Sequence, residues 1–167
     1  NLGPLSPYGE TKLLCEKILN WCGKVCNLKY VSLRYFNAAG ADFDLEIGEN
    51  HTPETHLIPL AIKSLYGDEI LKVFGDDYDT EDGTALRDYI HVNDLASAHL
   101  KAIEYLNNGG ESDVFNLGSG NGTSVKKIIK LLENTTGLES KNEIYPRRVG
   151  DPSKLFADIE KANKILK

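Results

Sequence analysis

The first 36 residues place an amphipathic helix directly before a strand, and this order constrains the fold more than any other feature. Ser6 is a favoured helix N-cap and Pro7 a favoured first helical residue. Apolar residues then recur at helical spacing, which predicts a helix from Pro7 to Cys22. Tyr30–Phe36 alternates in the manner of a strand. A helix joined to a strand by a short link is half of a parallel βαβ unit, so we expect an α/β fold.

The rest of the chain continues to alternate helical and extended patterns after a long irregular stretch, Asn37 to Thr55. A loop of that length inside a compact domain is usually functional or disordered. The predicted helices are Leu57–Tyr66, one capped by Asn93 or Asp94, Ser124–Asn134 and Ile159–Leu166. The predicted strands are Leu71–Phe74, Tyr89–Val92, Val114–Leu117 and Glu143–Tyr145.

Charge, hydropathy and cysteine content exclude several classes of protein. The net charge is −6 and no basic face is evident, which argues against nucleic acid as a partner. No apolar run approaches the roughly 18 residues of a membrane span. The three cysteines are odd in number, so we expect reduced core thiols in a cytoplasmic protein and no disulfide framework.

Tyr8 and Lys12 stand one helical turn apart and therefore share a face of the first predicted helix. A phenol has a pKa of about 10, too high for a base at neutral pH. A neighbouring cation favours the phenolate, which lowers the pKa of a phenol toward the range of general-base catalysis. The spacing alone favours the alternative, an exposed pair on the helix surface.

Two groups of arginines are candidates for binding phosphate, because a guanidinium holds two phosphate oxygens in a fork. Arg87 lies in an extended segment beside Asp88, and Arg147 and Arg148 follow Pro146. The alternative for each is a surface cation or ion pair, and the residues alone do not decide between them.

Glycines and histidines indicate neither a nucleotide loop nor a metal site. Gly118–Gly122 lies between a strand and a helix, but its third glycine comes too early for a dinucleotide-binding loop, so a structural turn is expected. The histidines share no metal-ligand spacing, and no metal is predicted. His56, at the end of the long loop, is the histidine expected in a ligand site.

Eight segments follow one another along the chain in the order and spacing of one known family. They are Ser6–Lys12, Arg34–Ala41, Thr55–Pro59, Phe74–Tyr78, Thr80–Thr84, Arg87–Ala96, Asn116–Gly120 and Pro146–Asp151. In these segments nearly the whole chain resembles the UDP-glucose 4-epimerase family within the extended short-chain dehydrogenase/reductases. The segment from Thr80 to Ala96 is the most specific part, whereas Tyr-x-x-x-Lys is shared by the entire superfamily.

The resemblance implies specific roles for residues. Tyr8 would be the catalytic base and Lys12 the cation that tunes it and holds the nicotinamide ribose, with Tyr35 and Phe36 near the nicotinamide. Arg87 and Arg148 would hold the diphosphate. The residues implied to line the UDP-sugar site are Asn37, His56, Leu57, Val73, Phe74, Arg87, Tyr89, Arg148 and Asp151. Many family members carry asparagine where this chain has His56, which leaves that sugar contact open.

The resemblance also implies an organisation and an activity. Residues 1–40 would be a remnant of the NAD-binding Rossmann domain and residues 41–167 the UDP-sugar-binding domain. We expect a C-terminal part of an enzyme that interconverts UDP-glucose and UDP-galactose with NAD, that is inactive alone, and that is a homodimer when intact. The alternatives are another nucleotide-sugar 4-epimerase, for N-acetylated, uronic acid or pentose sugars, and a module that binds UDP without catalysis.

Overall fold

A computed structural model describes residues 3–4, 6–44 and 46–166, and this part of the chain contains five helices and nine short strands. The helices are α1 (Pro7–Cys26), α2 (Leu57–Tyr66), α3 (Val92–Asn107), α4 (Val125–Thr136) and α5 (Glu160–Ile165). The strands are β1 (Val31–Tyr35), β2 (Asn37–Ala39), β3 (Leu71–Phe74), β4 (Leu86–Arg87), β5 (Tyr89–His91), β6 (Asp113–Leu117), β7 (Thr123–Ser124), β8 (Asn142–Tyr145) and β9 (Lys154–Leu155).

Helix α1 begins where the capping residues predict. The Ser6 hydroxyl accepts a hydrogen bond from the Gly9 amide at 3.1 Å, and Pro7 occupies the first turn. The helix ends at Asn27, whose left-handed conformation (φ 54°) is one that asparagine tolerates. It extends beyond the predicted Cys22 because Gly23 is accommodated within the helix, and the chain leaves the helical conformation only at Asn27.

The apolar stripe of α1 faces solvent. No residue of this helix is buried, and Leu14, Ile18, Trp21 and Val25 are each more than half exposed. The expectation of core thiols is wrong for the same reason. Cys15 and Cys26 are exposed and Cys22 is half-buried, although all three are unpaired as predicted.

Four small sheets organise the strands, and parallel pairing dominates as the βαβ pattern predicts. Strands β1 and β6, β2 and β5, and β3 and β8 form parallel pairs. Strand β4 lies between β7, to which it is antiparallel, and β9, to which it is parallel. The α/β class is therefore confirmed.

Two buried clusters hold these layers together. In the first, Ala61 of α2 and Ile129 of α4 pack on Leu71 and Val73 of β3. In the second, residues of α3 and α5 pack on β6, where Phe115 is completely buried. The alternating buried positions of β3 and the apolar face of α2 are what place both elements beside the cleft described below.

The N-cap of helix α3 lies two residues before the nearer of its two expected positions. His91, not Asn93 or Asp94, is the N-cap, and its Nδ1 accepts a hydrogen bond from the Asn93 amide at 3.2 Å. Histidine is an uncommon cap, so residue type alone favoured the wrong position. Within the described ranges, none of the helices is both long and apolar enough to cross a bilayer.

Candidate functional site

All nine residues implied to contact a UDP-sugar line one cleft of about 990 Å³. They come from separate parts of the chain: the start of β2, the start of α2, the end of β3, strands β4 and β5, and the segment after β8. The convergence of distant segments on one cleft is what a binding site requires and what a chance set of motif residues does not produce. These residues are Asn37, His56, Leu57, Val73, Phe74, Arg87, Tyr89, Arg148 and Asp151.

Arg87 and Asp151 form one unit at the cleft. One guanidinium nitrogen of Arg87 donates to Leu86 O at 2.6 Å and another donates to the Asp151 carboxylate. The Arg87 side chain is only 12% exposed, and the central position of β4 fixes its backbone. The ion pair orients a mostly desolvated cation, which makes the remaining donors of the guanidinium available in a defined direction.

The structure separates the two adjacent arginines, which the sequence could not do. Arg148 lines the cleft, and its guanidinium lies 4.0 Å from the centre of the Phe74 ring. Arg147 turns away, pairs with Asp77 and stacks over Tyr78 at 4.3 Å. Among the residues lining the cleft, Arg87 and Arg148 are the two arginines, as the predicted diphosphate clamp requires.

The apolar part of the cleft is held by the first buried cluster. Val73 is almost completely buried on β3, and Leu57, the first residue of α2, packs against the same cluster. Phe74 follows Val73 at the end of the strand and lies 5.9 Å from the Tyr145 ring in a tilted arrangement. Because core packing fixes these residues, this wall is preformed for a flat ring such as a nucleobase.

Tyr89 and Asn37 stand opposite one another in the β2–β5 pair and supply polar groups. Burial raises the pKa of the Tyr89 phenol, and the positive charge of Arg87 opposes that shift more weakly. The phenol is therefore neutral at physiological pH and can both donate and accept a hydrogen bond in the cleft.

Asp88, beside Arg87, explains the glycine-rich turn after β6. Its completely buried carboxylate accepts hydrogen bonds from the Ser119 amide (2.7 Å), the Ser119 hydroxyl (2.6 Å), the Gly120 amide (3.0 Å) and the Ala157 amide (3.0 Å). Burial alone would raise the pKa of Asp88, but these donors hold it below its usual range. A Cβ on Gly118 would lie 2.4 Å from that carboxylate. The turn is structural, as expected.

The four residues predicted for catalysis and cofactor binding are not among those that line the cleft. Tyr8 is 72% exposed, and the ammonium of Lys12 lies 5.1 Å from the centre of its ring, so the two side chains are neighbours as predicted. Tyr35 ends β1 and Phe36 donates its amide to Leu117 O at 3.1 Å. The chain then passes directly into Asn37 in the cleft. The roles assigned to these four residues stay predictions.

Three acidic residues that line the cleft were missed: Glu49, Glu54 and Glu69. Glu49 and Glu54 line it beside His56, whose Nδ1 lies 2.7 Å from a Glu49 oxygen and 3.0 Å from a Glu54 oxygen. A signal was present in the sequence, because Glu49–His51 and Glu54–His56 are two copies of Glu-x-His within eight residues. Counting spacings between histidines alone concealed it.

Comparison with known proteins shows which protein family has a sequence of this kind. Residues 1–118 match the model of the NAD dependent epimerase/dehydratase family. The chain belongs to this family. A relative named UDP-glucose 4-epimerase from Halalkalibacterium halodurans is 54% identical over 164 residues, which cover 98% of this chain and 49% of the relative.

Solved structures of family members give the same result. UDP-glucose 4-epimerase from Brucella ovis in complex with NAD matches 98% of this chain and 51% of its own, with a TM-score of 0.94 and 48% identity. The Bifidobacterium longum enzyme, in complex with NAD+ and UDP, matches with a TM-score of 0.90 and 41% identity over 98% of this chain and 50% of its own. The chain spans about half the length of the relatives that it matches, as expected of a part of such an enzyme.

Proposed function

We propose that this chain is the UDP-sugar-binding part of a UDP-glucose 4-epimerase, which interconverts UDP-glucose and UDP-galactose with NAD. The observation that carries the proposal is the single cleft lined by all nine residues implied by the resemblance. Relatives about half identical to the chain bear the name of this enzyme. Fold similarity alone would not support a specific substrate, because one fold serves many functions.

The cleft offers each part of a UDP-sugar a matching surface. Arg87, held by Asp151, and Arg148, placed over Phe74, are the cations for the two phosphates. The end of β3 offers the uracil a backbone edge and an aromatic ring. Asn37, His56 and Tyr89 are left as polar partners for the sugar hydroxyls.

The residues outside the cleft fit a dinucleotide. The parallel strands β1 and β6 end together at Tyr35 and Leu117, and ligands of parallel α/β sheets bind at the carboxyl ends of the strands. Tyr35 and Phe36 stand at that edge, next to the cleft residue Asn37. We place the division between an NAD-binding remnant, residues 1–40, and a UDP-sugar-binding domain, residues 41–167, at this junction. A bound NAD supplies a reversible hydride acceptor for C4 of the sugar.

Tyr8 and Lys12 carry the proton chemistry in this proposal. The Tyr8 phenolate takes the proton of the C4 hydroxyl and returns it after the 4-keto sugar has presented its other face. The ammonium of Lys12 lies 5.1 Å from the centre of the Tyr8 ring and places a positive charge beside it. The cleft residues contribute by holding the diphosphate while the sugar turns, since positioning supplies a large part of such catalysis.

The exposed stripe of α1 supports the proposal that the intact protein is a homodimer. Leu14, Ile18, Trp21 and Val25 form an apolar surface of a kind that usually marks an interface. The three unpaired thiols support a cytoplasmic location.

Calorimetry with UDP on paired arginine variants tests the binding proposal. Arg148→Ala removes a cation from the cleft and should weaken UDP binding at least about tenfold, since a charge-assisted hydrogen bond contributes about 1.5–3 kcal/mol. Arg147→Ala is the matched control, because its side chain lies outside the cleft, and it should change the affinity less than about twofold. Equal losses in both variants, or no UDP binding by the chain, would contradict the proposal.

Turnover assays test the catalytic proposal separately. The isolated chain should not interconvert UDP-glucose and UDP-galactose, and measurable turnover would refute that expectation. An intact protein containing this chain should act on these two sugars in preference to N-acetylated, uronic acid or pentose nucleotides. A preference for one of the latter would favour another nucleotide-sugar 4-epimerase.

A further inference from the structure

The long segment between β2 and α2 gathers two glutamates and two histidines at one point beside the cleft. Glu49, His51, Glu54 and His56 each offer one donor atom, and these four atoms all lie within 4.8 Å of one another. We propose that this cluster is a binding site for one divalent transition-metal ion of the zinc type. The proposal does not rest on the proposed reaction, although the cluster shares His56 with the proposed UDP-sugar site.

The distances within the cluster are close to those between ligands of one ion. Both histidine Nδ1 atoms approach the same oxygen, Glu49 Oε1, at 2.7 Å from His56 and 3.3 Å from His51. Zinc bonds of about 2.0–2.2 Å in a tetrahedron set neighbouring donors about 3.3–3.6 Å apart. The donor pairs at 2.7–3.3 Å need to separate by less than about 1 Å, and pairs near the 4.8 Å limit need to approach by about 1 Å, to admit an ion.

Glu54 is held in place before any ion arrives. Its side chain is 4% exposed, and its Oε1 accepts hydrogen bonds from the amides of Thr55 (2.7 Å) and His56 (2.8 Å). The same oxygen lies 3.0 Å from His56 Nδ1. A carboxylate fixed by two backbone donors loses little conformational entropy on coordination. Its hydrogen bonds also orient the neighbouring ligand, as the outer contacts of metal sites do.

Charge and ligand type indicate the class of ion. Two carboxylates and two neutral imidazoles carry a net charge of −2, which a divalent cation neutralises. Imidazole favours zinc and similar transition metals over magnesium and calcium, which prefer oxygen ligands alone. The rings of His51 and His56 are stacked with centres 5.4 Å apart, so both imidazoles are presented side by side.

The ligands are also close in sequence. All four lie in the segment from Glu49 to His56, so binding one ion closes only a short loop and costs little chain entropy. Three of the four also line the cleft, which would make the metal part of its wall: Glu49, Glu54 and His56.

Metal titration of the purified chain tests the proposal. Calorimetry with Zn²⁺ should give one tight site per chain. Co²⁺ should produce the intense visible absorption of a four-coordinate ion, and Zn²⁺ should abolish it. Mg²⁺ should bind at least about 100-fold more weakly because two of the ligands are imidazoles. Absence of a one-to-one site, or a Co²⁺ spectrum of the hydrated ion, would overturn the proposal.

Variants in the same segment locate the ion. His51→Ala and Glu49→Gln should each weaken Zn²⁺ binding at least about tenfold, because each removes a ligand. Glu46→Gln is the matched control, since Glu46 is an exposed carboxylate of the same segment outside the cluster, and it should bind as the wild type does. The ligands lie outside the helices and strands, so circular dichroism should show an unchanged fold. Wild-type affinity in His51→Ala and Glu49→Gln would place the ion elsewhere and overturn the assignment.

Discussion

The cleft and helix α1 differ in what holds their functional residues. The walls of the cleft belong to a buried cluster in which α2, α4 and β3 pack on one another, with Ala61 and Val73 only 1% exposed. Helix α1, which carries Tyr8 and Lys12, has no buried residue. The proposed binding residues are therefore fixed by packing inside this chain, whereas the proposed catalytic pair stands on a helix with one apolar face uncovered.

Polar contacts show the same difference. In the cleft region, the completely buried Asp88 accepts four hydrogen bonds and joins β4 to the turn after β6 and to the segment after β9. Helix α1 is joined to β1 by the two-pronged pair of Glu16 and Arg34, with side chains 20% and 31% exposed. Buried polar networks contribute more to stability than exposed pairs. Nucleotide binding and the order of helix α1, which carries the proposed catalytic pair, should thus be separable properties.

The largest expected effect comes from Asp88. Asp88→Asn removes the negative charge and places an NH2 donor opposite backbone N–H donors. This change should lower the free energy of unfolding by about 3 kcal/mol. Urea denaturation measures this loss. Asp79→Asn, at an exposed aspartate, is the matched control and should change stability by less than about 0.5 kcal/mol. A loss below 1 kcal/mol in Asp88→Asn would show that the cleft region does not depend on this carboxylate.

The pH dependence of the same variant supplies an independent check. The pKa of Asp88 is lower in the folded state than the unfolded value of about 3.9. Its ionised form therefore stabilises the fold above about pH 4, and this contribution is lost as the pH falls through the lower folded pKa. The stability difference between wild type and Asp88→Asn should be constant from pH 7 to 5 and shrink below about pH 4.

A smaller effect is expected from the corresponding contact of helix α1. Glu16→Gln weakens the pair with Arg34 and should lower stability by about 1 kcal/mol or less, because both side chains are partly solvated. Hydrogen exchange should show faster opening of α1 with the cleft region unchanged. Glu104→Gln on the exposed face of α3 is the control. A loss as large as that of Asp88→Asn would mean that α1 is as firmly held as the cleft.

Local pattern predicted the helices and the longer strands but not the shortest strands. The bounds of α2 and β3 match the expectation because apolar spacing and a terminal glycine at position 67 mark them. Strands β4, β7 and β9 are two residues each and form only because distant segments meet. Such pairing leaves no periodicity in any one segment.

The candidate site was likewise predictable from the sequence only in part. Resemblance located nine residues of the cleft, but only the structure shows that Arg148 enters it and Arg147 does not. Adjacent residues of an extended segment point to opposite sides, and sequence does not say which side holds the ligand. The four-residue cluster of the long segment escaped notice because its ligands mix glutamate with histidine.

One further pair of variants separates the two regions most sharply. Tyr8→Phe and Tyr89→Phe remove the same atom, but only Tyr89 lines the cleft. Tyr89→Phe should weaken UDP or UDP-sugar binding by about 3–10-fold, the value of one hydrogen bond. Tyr8→Phe should leave the affinity of this chain within about twofold, since its hydroxyl is exposed on α1. Calorimetry on the two variants compares them directly. A loss in Tyr8→Phe that equals the loss in Tyr89→Phe would mean that α1 reaches the bound nucleotide, and the proposed binding and catalytic residues would then belong to one unit of this chain.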